Sequence, residues 1–100
     1  MNQKQLYDTA YSIAREQLEA AKLEIFKRLT SNFPSEEFDV VLYAAQRGQQ
    51  LYAASLSLAE KVWSGSLAFD KALGFLQAQF SDFPEITIEK AFSEAYIAKR

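Results

Sequence analysis

Paired carboxylates are the residues of this chain whose types and spacing could do chemistry. Glu16 with Glu19, Glu36 with Glu37 and Glu85 with Glu89 each set two acids within about one helical turn. Such pairs serve general acid–base catalysis when their surroundings push the two pKa values apart. Plainer roles account for all three. Glu16 and Glu19 fall on the polar side of a helical pattern, where they are solvated. Glu36 and Glu37 follow Pro34, at a helix start where the helix dipole favours negative charge, and Glu85 and Glu89 flank another start.

The other common reactive groups are missing from the composition. The sequence contains no histidine and no cysteine, which removes thiol nucleophiles, thiolate metal sites, disulfides and the Glu-x-x-His motif of carboxylate-bridged metal bundles. There is no Asp- and Gly-spaced calcium loop, and Gly65 standing alone between serines is not a phosphate-binding loop. No catalytic residue, no metal site and no cofactor is expected, and the protein is read as a non-enzyme.

Charge does not name a partner either. Eleven basic against thirteen acidic side chains leave a formal net charge of −2, too small a field to draw in nucleic acid or an anionic membrane. Lys27-Arg28, Arg47 and Lys99-Arg100 are scattered among acids. A nucleic-acid-binding regulator using Lys27, Arg28 and Arg47 is the alternative reading, and a non-catalytic accessory subunit of an enzyme is a third. No segment approaches the roughly 20 apolar residues of a membrane span, and the start has no apolar run like that of a signal peptide. The expected location is the cytoplasm.

The elements that must position any site are helices. With 49% hydrophobic residues, three glycines and two prolines in 100 residues, the chain can bury a core and carries few breakers, so a single all-α domain over residues 1–100 is expected. Leu6, Ala10, Ile13, Ala14, Leu18, Ala21, Ile25 and Leu29 recur at three- and four-residue spacing, predicting one long helix from Gln3 to about Thr30. Pro34 ends it, and Ser35 is placed to cap a second long helix that runs to about Trp63 with only Gly48 interrupting. Ser64-Gly65-Ser66 predicts a loop, with Ser66 capping a third helix over about Leu67 to Phe80. A fourth is predicted from Ile86 to Ala98. The predicted fold is a four-helix bundle built on the antiparallel hairpin of the two long helices. Ala10, Ala14 and Ala21 would face Ala44, Gly48, Ser55 and Ala59, letting the two backbones approach closely.

An internal similarity runs through this pattern. Leu23 through Ser31-Asn32-Phe33-Pro34 aligns without gaps on Leu73 through Ser81-Asp82-Phe83-Pro84, and Phe38, Val41, Leu42 and Ala45 then meet Ile88, Ala91, Phe92 and Ala95. The alignment points to two copies of one helix-turn-helix unit. In each, proline stops a helix and the preceding phenylalanine plugs the end of a core.

The clue to function is apolar surface away from the main stripe. Leu23 and Phe26 fall on the side of the first helix that carries Asp8, Ser12, Glu19 and Lys22, so something must cover them, either the rest of the fold or a partner. Tyr7, Tyr11, Tyr43 and Tyr52 are the natural neighbours in a contact, since tyrosine combines apolar area with a polar tip. The expected function is therefore that of a small regulator, inhibitor or immunity-type factor. It would act by binding the surface of another protein or of a second copy of itself.

Overall fold

A computed structural model describes residues 3–16 and 22–99 of the chain, and every regular element among them is a helix. In order they are α1 (Gln3–Glu16), α2 (Lys22–Asn32), α3 (Phe38–Trp63), α4 (Phe69–Gln79) and α5 (Glu85–Ala98). The contacts gather into two compact units, Met1–Gln50 and Leu51–Arg100. The first holds α1, α2 and the first half of α3, and the second holds the rest of α3 with α4 and α5.

Five helices among the described residues replace the expected four. The difference lies in the first long helix. α1 and α2 pack against one another, which two collinear stretches of one rod could not do, because helical residues six apart are already about 9 Å distant along the axis. Leu18 and Ala21, assigned to that rod, lie outside the described residues. Within the first unit the periodic positions form the core as expected: Leu6, Ala10, Ile13, Ala14, Ile25 and Leu29 are all buried.

α2 stops where Pro34 requires. Thr30, Ser31 and Asn32 each turn a side-chain donor back to the carbonyl four residues earlier, a pattern that competes with regular helix continuation. The Phe33 N–H closes onto the Leu29 carbonyl and the Glu36 N–H onto the Phe33 carbonyl, folding the ring of Phe33 inward, where it is buried. Ser35 does not cap α3. The helix begins only at Phe38, and the Val41 N–H reaches back to the Glu37 carbonyl.

α3 is unbroken through Gly48 for 26 residues, about 39 Å at 1.5 Å per residue. A β-carbon on Gly48 would stand 2.8 Å from the carbonyl carbon and oxygen of Ala10. The glycine thus lets α1 and α3 meet backbone to backbone, as the small-residue pattern predicts. Ala44 and Ala45 beside it are buried.

The end of α3 follows the glycine signal closely. The Ser66 N–H bonds the Lys61 carbonyl and the Gly65 N–H bonds the Val62 carbonyl, with Gly65 at φ 82°. This is the paired arrangement of a Schellman termination, in which glycine holds the left-handed position. Gly65→Ala is expected to cost about 1–2 kcal/mol, readable as a lowered midpoint in urea with an unchanged slope. Ser66 bonds Ser64 through its hydroxyl instead of capping α4, whose N-cap is Ala68.

α4 and α5 pack on one another in the second unit. Ala72, Leu76 and Phe80 from α4 and its end, and Ile88, Ala91, Phe92 and Ala95 from α5, are buried. Leu73 is half-buried, and Phe69 is 38% exposed. Phe83 plugs this core as Phe33 plugs the first. It is buried with its ring edge-on to Phe80, at 5.9 Å between centroids.

Candidate interaction surface

The six residues expected at a contact fall on three helices, Tyr7 and Tyr11 on α1, Leu23 and Phe26 on α2, and Tyr43 and Tyr52 on α3. Tyr7 and Tyr11 are core residues. The apolar face of α1 is wider than a single stripe, since Leu6, Tyr7, Ala10, Tyr11, Ile13 and Ala14 are all covered, and burial takes these two rings off the surface. Tyr43 is 53% exposed and leans its ring toward Tyr7 at 6.4 Å. Tyr52, in the other unit, is half-buried. Phe26 is half-buried on α2 and meets Phe38 edge to face, with centroids 4.8 Å apart. The side chain of Leu23 lies outside the described residues.

The basic residues of the alternative reading are engaged with neighbours. Lys27 Nζ lies 3.8 Å from a Glu24 carboxylate oxygen on the same helix. Arg47 donates through Nη1 to the Gln50 side-chain oxygen at 2.9 Å.

Two aromatic features of the second unit were not singled out by sequence reasoning. The first is a cluster at the end of α3. The indole of Trp63 stacks on Tyr96 at 4.5 Å and 18°, and its Nε1–H donates to the Tyr96 carbonyl at 2.7 Å. That carbonyl is in the last turn of α5, where helix oxygens have no partner within the helix. Phe69 completes the cluster, edge-on to Tyr96 and tilted against Phe92. The Glu60–Lys99 pair at 4.0 Å joins the same two helices. This cluster is a clasp between helix ends, and its rings are largely occupied with one another.

The second feature is concave. Ala54, Ser57 and Leu58 on α3 and Phe75, Ala78 and Gln79 on α4 line an open groove of about 590 Å³. Residues one turn apart on each helix form its walls, and the short side chains of Ala54 and Ala78 leave the space between them. Phe75 stands at the edge with 56% of its surface exposed. No charged side chain is among the lining residues, and its polar groups are one hydroxyl and one amide. An apolar side chain seated there would lose no charge solvation and would cover a phenyl ring.

Comparison with known proteins found no matching family model, no matching curated protein and no matching solved structure. Among the described residues no group of three or more acidic, histidine or cysteine side chains is arranged to hold a metal ion. No helix among them is long and apolar enough to cross a membrane.

Proposed function

We propose that this chain is a non-enzymatic interaction protein, a regulator or inhibitor that acts by seating the apolar face of a partner's helix in the groove between α3 and α4. The observation that carries this reading is the uncharged groove with Phe75 exposed at its edge. A helix presenting apolar residues at three- and four-residue spacing matches two walls built with the same periodicity. Large aromatic side chains at such sites carry a disproportionate share of binding energy. The chain is read further as two copies of one helix-turn-helix unit. Each half has a buried phenylalanine ahead of a proline between its second and third helical segments, which supports that reading.

Phe75→Glu tests the function. The side chain is mostly in solvent, so folding should change by no more than about 0.5 kcal/mol, while a carboxylate in the groove should weaken partner binding at least tenfold. Immobilised wild-type and variant protein would be exposed to extract of the native source, and the retained proteins compared by mass spectrometry. A partner held by the wild type and lost from the variant supports the groove. Identical retention by both overturns it.

A further inference from the structure

The groove between α3 and α4 has a basic end. The two helices are joined by the short loop that follows Trp63, so the last turn of α3 and the first turn of α4 lie at the same end of the groove. Lys61 follows Leu58 by three residues and Lys71 precedes Phe75 by four. These spacings keep each lysine on the face of its helix that lines the groove and carry it about one turn toward the loop. Both lysines are exposed, and neither side chain has an ion pair or hydrogen bond with another described residue. The adjacent acids face elsewhere. Glu60 and Asp70 are each turned about 100° around the helix from the neighbouring lysine, and Glu60 reaches Lys99 at the end of α5, 4.0 Å away.

An apolar stripe at three- and four-residue spacing looks much the same read from either end, so the groove walls alone would take a helix in both directions. Two unpaired cations at one end remove that ambiguity. We propose, resting on the helix-in-groove reading above, that the partner helix carries an Asp or Glu one turn beyond its apolar stripe and seats that carboxylate over Lys61 and Lys71. A basic residue in the same place would be repelled, and a neutral one would leave both ammonium groups unmatched. Ion pairs this exposed add little affinity. The apolar stripe supplies most of the binding, and the acidic end fixes the direction in which the helix lies.

The test titrates the full chain with three synthetic helical peptides that share one stripe of leucines at three- and four-residue spacing. Two carry glutamate one turn beyond one or the other end of the stripe, and the third carries lysine at both places. One glutamate peptide should bind about tenfold more tightly than the lysine peptide, an advantage that added salt should shrink. Lys61→Glu combined with Lys71→Glu should reverse the ranking with an unchanged melting temperature, since both side chains are in solvent. Lys61→Gln with Lys71→Gln should erase the ranking, and this pair decides the matter if the reversed protein proves unfolded. Three peptides bound equally well, and all lost from Phe75→Glu, overturn the acidic end and leave the groove standing as a helix site. No binding of any peptide, or binding indifferent to Phe75→Glu, overturns both. Two further outcomes name another occupant and equally overturn the proposal. One is sodium dodecanoate bound in a manner that needs Lys61 and Lys71 while no peptide binds. The other is a two-chain mass in sedimentation equilibrium that Phe75→Glu reduces to one.

Discussion

Phe83→Ala is expected to remove about 3–5 kcal/mol of stability, the usual cost of truncating a fully buried phenylalanine. Phe83 is 1% exposed and lies edge-on to Phe80, so the variant loses an aromatic contact as well as buried area. Its backbone N–H already bonds the Phe80 carbonyl at 3.0 Å. The turn is thus fixed on both sides of the ring and cannot readily collapse into the space left. Against a total of about 5–15 kcal/mol for a typical domain, the loss should lower the melting temperature by on the order of 15 °C. Ile86, three residues on and 75% exposed, supplies the control: Ile86→Ser should move stability by no more than about 0.5 kcal/mol. A Phe83→Ala protein within about 1 kcal/mol of wild type in urea titration would show that this ring is not the plug its burial implies.

The second large effect is one of sign. Two of the three glycines lie inside helices, and by propensity alone alanine should stabilise either site by about 1 kcal/mol. A β-carbon added to Gly74 on α4 would meet nothing within 4 Å, so Gly74→Ala should gain that amount. At Gly48 the same atom meets the Ala10 carbonyl group at 2.8 Å and the Tyr11 nitrogen at 3.1 Å. These are backbone atoms, which cannot rotate aside as a side-chain tip would, so α1 and α3 must separate. Overpacking of this kind costs about 1–3 kcal/mol and should outweigh the propensity gain. Gly48→Leu should cost more than Gly48→Ala. Thermal melts of the two alanine variants should therefore shift in opposite directions, and a stabilised Gly48→Ala would contradict the close approach of the two helices.

Periodicity made most of the helical architecture legible. The continuity of α3 through Gly48, the stop at Gly65, the buried face of α5 and the inward turns of Phe33 and Phe83 all follow from local rules acting within a turn or two of chain. The packing of α1 against α2 was not legible, because an amphipathic pattern reads the same whether its two halves are collinear or packed together. Ser35 and Ser66 show a related limit. Each is a residue type that caps helices, yet the helix begins three positions later, and the choice among adjacent starts depends on packing.

The candidate site was harder to read for the same reason. Phe75 lies about 100° around α4 from Leu76, beside the buried stripe of Ala72, Leu76 and Phe80. Whether a ring at the margin is covered depends on the helix it faces, here Ala54, Ser57 and Leu58 of α3, and a single helix gives no sight of that. Tyr7 and Tyr11 are the converse case. Their polar tips suggested an edge, and a broad contact surface on α1 enclosed them.

Trp63 is the only tryptophan in the chain, and its ring is fixed between the Tyr96 ring and the Tyr96 carbonyl. Its emission is therefore a natural optical reporter of the second unit, with nothing comparable in the first. Opening the clasp would release the indole from both the stack and the hydrogen bond, changing intensity and wavelength together. Far-ultraviolet dichroism weighs every helix in both units. Superposing the two melting curves asks of the unmodified protein whether its halves unfold as one cooperative body or in succession.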